Sequence, residues 1–414
     1  MATAQPRGAN PNQPELIPVQ PRKKGKFWKG LLLTLALVGV TGVGVGTMTQ
    51  FGRDAVHVAK DFTIPAIRAK QDPDLLFNSV ATPDGHVNIL IVGQDRNWKQ
   101  GKVYDPRTKR FRPYQVEDKS TRARSDTMIV VSLDKNANTM RLLSIPRDSR
   151  VRWSDADGDR HLTKLNAVWA EPDGETRLPQ VLNDELGIRV DRMALVKLDG
   201  FNKLVDRVGG IDINVEGGLF HGKRKRMQYT DHWGGWSVDL MPGFQHLNGK
   251  QAHGYVRYRY DNEGDPGRVR RQQQVMRALA KKMMNVPFYR LPGVVTEMQR
   301  NFETKMTNDE IVSAAMFAHK LGNANKIQPI TPFATYADNG DVILNKPKNI
   351  KLFGAIFGPS FNAKNFLVNS PSTKSDDFGA RNNDNPAAVP VLREAGLLKA
   401  EAHHNAQLEA PGLQ

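Results

Sequence analysis

Of the 414 residues none is cysteine, so disulfides, thiolate metal sites and cysteine nucleophiles are excluded. Histidine offers no metal site in their place. His221, His232, His246 and His253 show neither an i, i+4 pair nor a short pair, and the adjacent His403 and His404 sit in a polar tail. Negative charge is in deficit: 43 Asp and Glu face 59 Lys and Arg, a formal net charge of +16. Nucleic acid is the first partner such a surplus suggests, yet no helix-turn-helix, zinc-finger or RNA-recognition pattern accompanies it. No G-x-S-x-G elbow, Walker loop or G-x-G-x-x-G stands at a strand-to-helix junction, which argues against nucleotide use. Long apolar runs are scarce, and a mean hydropathy of −0.51 excludes a multi-span membrane protein.

One such run is present. Gly30 to Met48 is uncharged over 19 residues, and at helical rise it covers roughly 28 Å, close to the hydrocarbon thickness of a bilayer. Arg22, Lys23, Lys24, Lys26 and Lys29 lie directly upstream, whereas Arg53 and Asp54 nearly cancel downstream. The positive-inside bias therefore puts the N-terminus in the cytoplasm and everything after Gln50 outside. A cleaved signal peptide is the competing reading, but no small-x-small cleavage site follows a short apolar core. The expected topology is a single pass through the plasma membrane.

Composition divides the chain into a basic, disordered tail (1–29), an anchor (30–50), a stalk or short helical entry to the folded part (51–85), an outward domain (86–369) and a mostly disordered C-terminal tail (370–414) with a helix near Val391 to His403. In the domain, HVNILIVG from His86, TMIVVSLD from Thr127 and TMRLLSIP from Thr139 are continuous apolar strands, the last two joined by the turn KNAN. Such runs are covered on both faces, which requires helices in layers around the sheet. Helices are expected at 164–170, 178–186, 199–208, 268–285 and 307–321. Asn339-Gly340 marks a hairpin adding to the same sheet. The fold class is thus α/β, and the insert from Arg96 to Thr121, rich in Lys, Arg and Tyr, reads as a loop.

The most charged stretch, YVRYRYDNEGDPGRVRRQQQ from Tyr255, points to a doubly charged phosphate ligand. Read as a strand, Tyr255 to Tyr260 projects Arg257 and Arg259 from one face. A helix starting near Pro266 stacks Arg268, Arg271 and Gln272 at i, i+3 and i+4. Guanidinium forks donate in pairs and stay ionised at physiological pH, which suits phosphate oxygens. Four further motifs fall at strand ends, where ligands of open α/β sheets bind. They are Asp95 in NILIVGQD; Arg124, Ser125 and Asp126 in RSDTMIVV; Arg147 and Asp148 in LLSIPRDSRV; and Lys164 and Asn166 in KLNAVW. Asp95 and Asp126 are hard oxygen donors of the kind magnesium prefers. Trp233 and Trp236, in HWGGW, are of the type that stacks on sugar rings.

Together, NILIVGQD, RSDTMI, SIPRDSRV, KLNAVW, DRVGGIDINV and YVRYR through GDPGRVRRQQ resemble the ordered motif series of the LytR-CpsA-Psr family, over roughly 87–286. Two departures are Gln94, where an apolar or small residue is commoner, and bulky Val168 and Trp169. The resemblance implies a three-layer α/β/α sandwich with a central mixed sheet and an apolar groove for an isoprenoid tail. It implies a membrane-anchored, Mg²⁺-dependent phosphotransferase that moves a glycopolymer from a polyprenyl-pyrophosphate carrier to peptidoglycan and releases polyprenyl phosphate. Asp95 and Asp126 then resemble the metal ligands. Arg124, Arg147, Lys164, Arg257, Arg259, Arg268, Arg271 and Gln272 resemble the pyrophosphate clamp, and Asp265 matches an aspartate near metal and phosphate. Asp126 and Asp148 are the candidate bases. The expected partners are the lipid-linked glycan, peptidoglycan and the membrane, with no nucleic acid. A lipid-pyrophosphate hydrolase using the same site, and a membrane-tethered regulatory or nucleic-acid-binding protein, are the alternatives.

Overall fold

The computed structural model describes residues 62–372 and 388–397, apart from 81–83, 95–97, 118–124, 156, 232–235, 288–289, 323–325, 338, 369 and 396. The expected cytoplasmic tail and the anchor at 30–50 lie outside the described residues. Among the described residues no helix is long and apolar enough to cross a membrane.

Six strands form the central sheet: β1 (His86–Gln94), β2 (Ser125–Asp134), β3 (Thr139–Ile145), β4 (Arg192–Lys197), β5 (Phe302–Thr304) and β6 (Ile327–Ile330). Their spatial order is β5-β4-β1-β2-β3-β6. The sheet is mixed: β1 and β2, β2 and β3, and β4 and β5 are antiparallel, whereas β1 and β4, and β3 and β6, are parallel. The KNAN turn joins β2 to β3 as its residues demand, with Asn138 in the left-handed region at φ 52.

Apolar residues fill both faces, which is why the strands read as unbroken hydrophobic runs. Leu90, Val92, Met128, Val130, Leu143, Ile145 and Leu195 meet side chains from α3 (Leu165–Ala170), α4 (Gly174–Leu186) and α10 (Lys346–Phe357). On the other face Ile89, Ile129, Val131, Leu133 and Leu142 meet α7 (Gly264–Met284), α9 (Asn308–Lys320) and α2 (Leu75–Ser79). A third cluster joins α5 (Leu198–Arg207), α6 (Gly249–Arg257) and α8 (Leu291–Asn301) to the antiparallel strands 211–215 and 243–247. A sheet between helical layers is therefore the architecture, as the continuous strands require.

Of the two readings of the entry segment the structure has the helical one from residue 62 onward: α1 (Ile64–Gln71) packs Ala69 inward, and Phe62, Leu76 and Phe77 are buried. Other expectations are corrected. The insert carries a hairpin, Trp98–Asp105 against Arg110–Glu117, in place of a loop. The Asn339-Gly340 turn does close a hairpin, Ala334–Tyr336 with Val342–Leu344, but this forms its own two-stranded sheet.

The segment Tyr255 to Tyr260 is not a strand. Asn248 and Gln251 form a reciprocal capping box that starts α6, and the helix runs through Arg257 before the chain turns extended at Tyr258. This cap outweighs the strand preference of Tyr, Val and Tyr. The C-terminal helix also begins earlier than expected, as α11 (Val389–Glu394), and buries Ala388, Val391 and Leu392 against the first core. Full burial of an aliphatic side chain of that size contributes about 1.5–3 kcal/mol.

Candidate active site: an apolar cavity ending in cations

Because β1, β3 and β4 run the same way and β2 runs against them, the last residues of three strands and the first of the fourth share one edge of the sheet. Gln94, Thr127, Arg147 and Lys197 stand there and line one end of a cavity of about 630 Å³. The register of β1 on β2 shifts at this edge: Gly93 pairs with Thr127 and Gln94 with Ser125, so Asp126 is the extra residue of a β-bulge. Bulges of this kind cluster beside active sites.

The cavity follows the second face of the sheet. Its floor is Ile89, Ile91, Ile129, Val131, Leu133, Met140 and Leu142, and its roof is α7 and α9. Along α7 the lining residues are Arg268, Gln272, Val275, Met276, Leu279, Ala280 and Met283, a single helical stripe. The stripe changes character along its length, from guanidinium and amide near the N-terminus to purely apolar beyond Val275. From Arg268 to Met283 it spans roughly 22 Å at helical rise. Ile311, Ala314, Ala315 and Ala318 of α9 continue the apolar wall, and the three alanines leave the space open.

At the polar end Arg257 and Arg259 join Arg147, Arg268, Lys197 and Gln272, with Asp231 the carboxylate in the lining. The guanidinium of Arg257 lies 5.0 Å above the Trp236 ring, a cation–π contact. Tyr260 stacks on Tyr229 at 3.6 Å, and burial together with the Tyr229 hydroxyl pushes its phenol up to about 12. It remains a neutral wall of the site. The convergence of Arg257 and Arg259 expected from a strand is achieved by a helix end and the extended residues after it.

Asp95 and Arg124 lie outside the described residues, as do the side chains of Asp126 and Asp265. Asp148 turns to its neighbour: Arg147 Nε donates to it at 3.2 Å, and Lys164 Nζ approaches its other oxygen at 3.4 Å. Lys164 is absent from the cavity lining. It donates to the carbonyl of Gly340 at 3.0 Å and lies 3.7 Å from Asp341. Lys164 and Asp148 thus act behind Arg147.

Arg271 does not join the stripe either. Its side chain is wholly buried and donates to Asp261 at 3.0 Å, to Glu216 at 3.4 Å and to the carbonyl of Tyr258 at 2.7 Å. Three residues from Arg268 on a 3.6-residue helix, it points off the flank of the stripe. Arg270 pairs with Glu216 at 2.8 Å and Glu263 at 2.6 Å, while Arg224 also reaches Glu263. Burial opposes ionisation of Glu263, but these two arginines prevail and hold its carboxyl at about 2. Burial and the Glu216 charge push the Tyr255 phenol up to about 12, and it donates to Gln274 Oε1 at 2.5 Å. This network fixes the turn from Tyr258 to Gly264 that delivers Arg259.

Sequence reasoning missed Lys197, Asp231 and His253. Lys197 ends β4, so applying the strand-end rule to that strand would have found it; Asp231 and His253 carry no local signal. Among the described residues no group of three or more His, Asp or Glu forms a ready metal site.

The geometry defines a class: an α/β domain whose apolar channel opens onto a cluster of cations, suited to an amphiphile with a multiply charged anionic head. The chain belongs to the LytR_cpsA_psr (LytR-CpsA-Psr) family, whose model matches residues 57–345. It is 32% identical over 239 residues to the polyisoprenyl-teichoic acid–peptidoglycan teichoic acid transferase TagV of Bacillus subtilis, covering 56% of this chain and 58% of TagV. It is also 32% identical over 244 residues to the regulatory protein MsrR of Staphylococcus aureus, covering 58% of this chain and 62% of MsrR. The matched part therefore spans about three fifths of each of these relatives. Of solved structures, protein gbs0355 from Streptococcus agalactiae shares the fold at a TM-score of 0.52 and 21% identity, over 73% of this chain and 92% of that one. The LytR-Csp2A-Psr enzyme from Actinomyces oris does so at 0.51 and 16%, over 69% and 93%.

Proposed function

We propose that this protein transfers a glycopolymer from a polyprenyl-pyrophosphate carrier to peptidoglycan. One observation carries the reading: a single continuous cavity changes from guanidinium and amide groups to bare methionine, valine and leucine along one helix. A prenyl chain matches the apolar length and a pyrophosphate matches the cationic end. The name of TagV, a transferase of polyisoprenyl-linked teichoic acid to peptidoglycan, supports the same pairing of donor and acceptor.

In the proposed reaction a hydroxyl oxygen of peptidoglycan attacks the phosphorus that bears the glycan. The bond from that phosphorus to the bridging oxygen breaks, polyprenyl phosphate leaves with the electron pair, and the hydroxyl proton is lost. Charge builds on the departing phosphate oxygens, and Arg147, Arg257, Arg259 and Arg268 are fixed cations that lower its energy. Arg147 is held for this role by Asp148 and Lys164. With Asp148 occupied by two cations, Asp148 is a weaker candidate base than sequence reasoning allowed. By donor type the carboxylates of Asp126 and Asp95 suit a magnesium ion, which would neutralise pyrophosphate charge. The domain would stand outside the plasma membrane behind the anchor at 30–50.

The test is to incubate the protein with a labelled prenyl-pyrophosphate oligosaccharide, magnesium and peptidoglycan. Label on peptidoglycan is expected, with magnesium required. Free phosphoglycan in equal amount with and without peptidoglycan would identify a hydrolase, and unconverted donor would overturn the enzymatic reading. Protease added to intact cells is expected to reach residues beyond Gln50.

A further inference from the structure

His253 sits on α6 one turn before Arg257, buried beneath the cationic end of the cavity. Its ring stacks at 21° on Trp236, the same indole that carries the Arg257 guanidinium. Arg257 Nη1 lies 3.4 Å from His253 Nε2, and Asn202 Nδ2 lies 3.2 Å from His253 Nδ1. Two donors thus face the two ring nitrogens.

A neutral imidazole has one lone pair and one N–H, so it accepts from only one of these groups. Arginine has no acceptor atom and does not give up its proton, so Nε2 is the nitrogen that accepts. Nδ1 then carries the hydrogen and needs an acceptor. Asn202 Oδ1 is buried and has no hydrogen-bond partner. Turning the Asn202 amide by 180° brings that oxygen onto Nδ1–H and satisfies both groups at once.

We infer that His253 is a positioning residue: a neutral imidazole, protonated at Nδ1 and oriented by Asn202, that holds Arg257 across Trp236 at the cavity mouth. The inference rests on the proposed phosphate-binding role of Arg257 and deepens it. The chain Asn202, His253, Arg257 fixes the height of one guanidinium above the ring, so donor affinity depends on a residue the anion never touches.

Two measurements test this on the full-length protein in lipid nanodiscs. With ¹⁵N-labelled histidine at pH 7.5, the resonances assigned through their loss in His253→Gln are expected to show a protonated Nδ1 and a bare Nε2. An Nε2–H tautomer or a doubly protonated ring overturns the inference. Titration with inorganic pyrophosphate is expected to show about tenfold or greater weakening in His253→Leu, the scale of a lost hydrogen bond to a charged group. His253→Gln, whose amide oxygen can accept from Arg257, is expected to stay within about threefold of wild type. Equal losses in both variants, or none in His253→Leu, overturns it. If wild type binds no pyrophosphate, the phosphate reading of the site fails, while the tautomer still decides the His253 geometry.

Discussion

Arg271 and Asp261 are both wholly buried and meet at 3.0 Å, although Arg271 belongs to the most cationic stretch of the sequence. Its third partner, the carbonyl of Tyr258, lies on the segment that carries Arg257 and Arg259 to the cavity.

Removing Arg271 would leave a buried carboxylate without its counter-charge. Arg271→Ala is expected to lower stability by about 3–5 kcal/mol, read from the urea midpoint. Arg271→Lys should recover little, because one ammonium cannot serve three separate acceptors in the geometry of a planar fork. Exposed Arg259 should behave oppositely. Arg259→Ala should stay within about 0.5 kcal/mol of wild type in stability while turnover falls by roughly two orders of magnitude.

The apolar length of the cavity is testable through α9. Ala315 lines it, and Ala315→Phe places a ring where a prenyl chain would run. KM for a long-prenyl donor should rise at least about tenfold, whereas a donor with a chain too short to pass Ala315 should keep its KM. Thermal unfolding should shift little, since the added ring enters open space and not a filled core. Equal effects on long and short donors would place the prenyl chain elsewhere.

His86 and Asp134 pair at 3.3 Å at the edge of the sheet opposite the cations. Burial opposes charge on both, but their mutual hydrogen bond and attraction raise the imidazole above its ordinary range and lower the carboxyl below its own. The His86 contribution is full below the ordinary imidazole range and is lost as pH rises through the raised value. The Asp134 contribution is full above the ordinary carboxylate range and is lost as pH falls through the lowered value. Wild-type melting temperature should therefore decline relative to His86→Gln as pH rises from the ordinary imidazole range through the raised value, with both measured from pH 4 to 9. Parallel curves would show that the pair adds nothing.

Much of this arrangement is legible in the sequence because it rests on local patterns. The runs around Ile89 and Val130 announce doubly covered strands, Thr307 and Glu310 announce the start of α9, and strand-end Arg147 announces the site. What misled was competition between signals. Tyr255 to Tyr260 has strand composition, and only the box between Asn248 and Gln251 decides for a helix. The partners of Arg271, namely Asp261, the Tyr258 carbonyl and Glu216 55 positions away, all lie outside α7, so no reading of spacing within that helix can supply them. The resemblance implies a place in the clamp for Lys164, whose partners here are Asp148 and the Gly340 turn, distant in sequence.

The central sheet presents a different solvent to each side: packed hydrocarbon at Leu90, Val92, Met128 and Val130, and the open channel at Ile89, Ile91, Ile129 and Val131. Neighbouring positions on one strand therefore answer to separate demands, even numbers to packing alone and odd numbers on β1 and β2 both to packing and to the bore available for a guest. Any exchange that widens or narrows that bore at Ile89, Ile129 or Val131 also draws on the hydrocarbon that ties the second helical layer to the sheet.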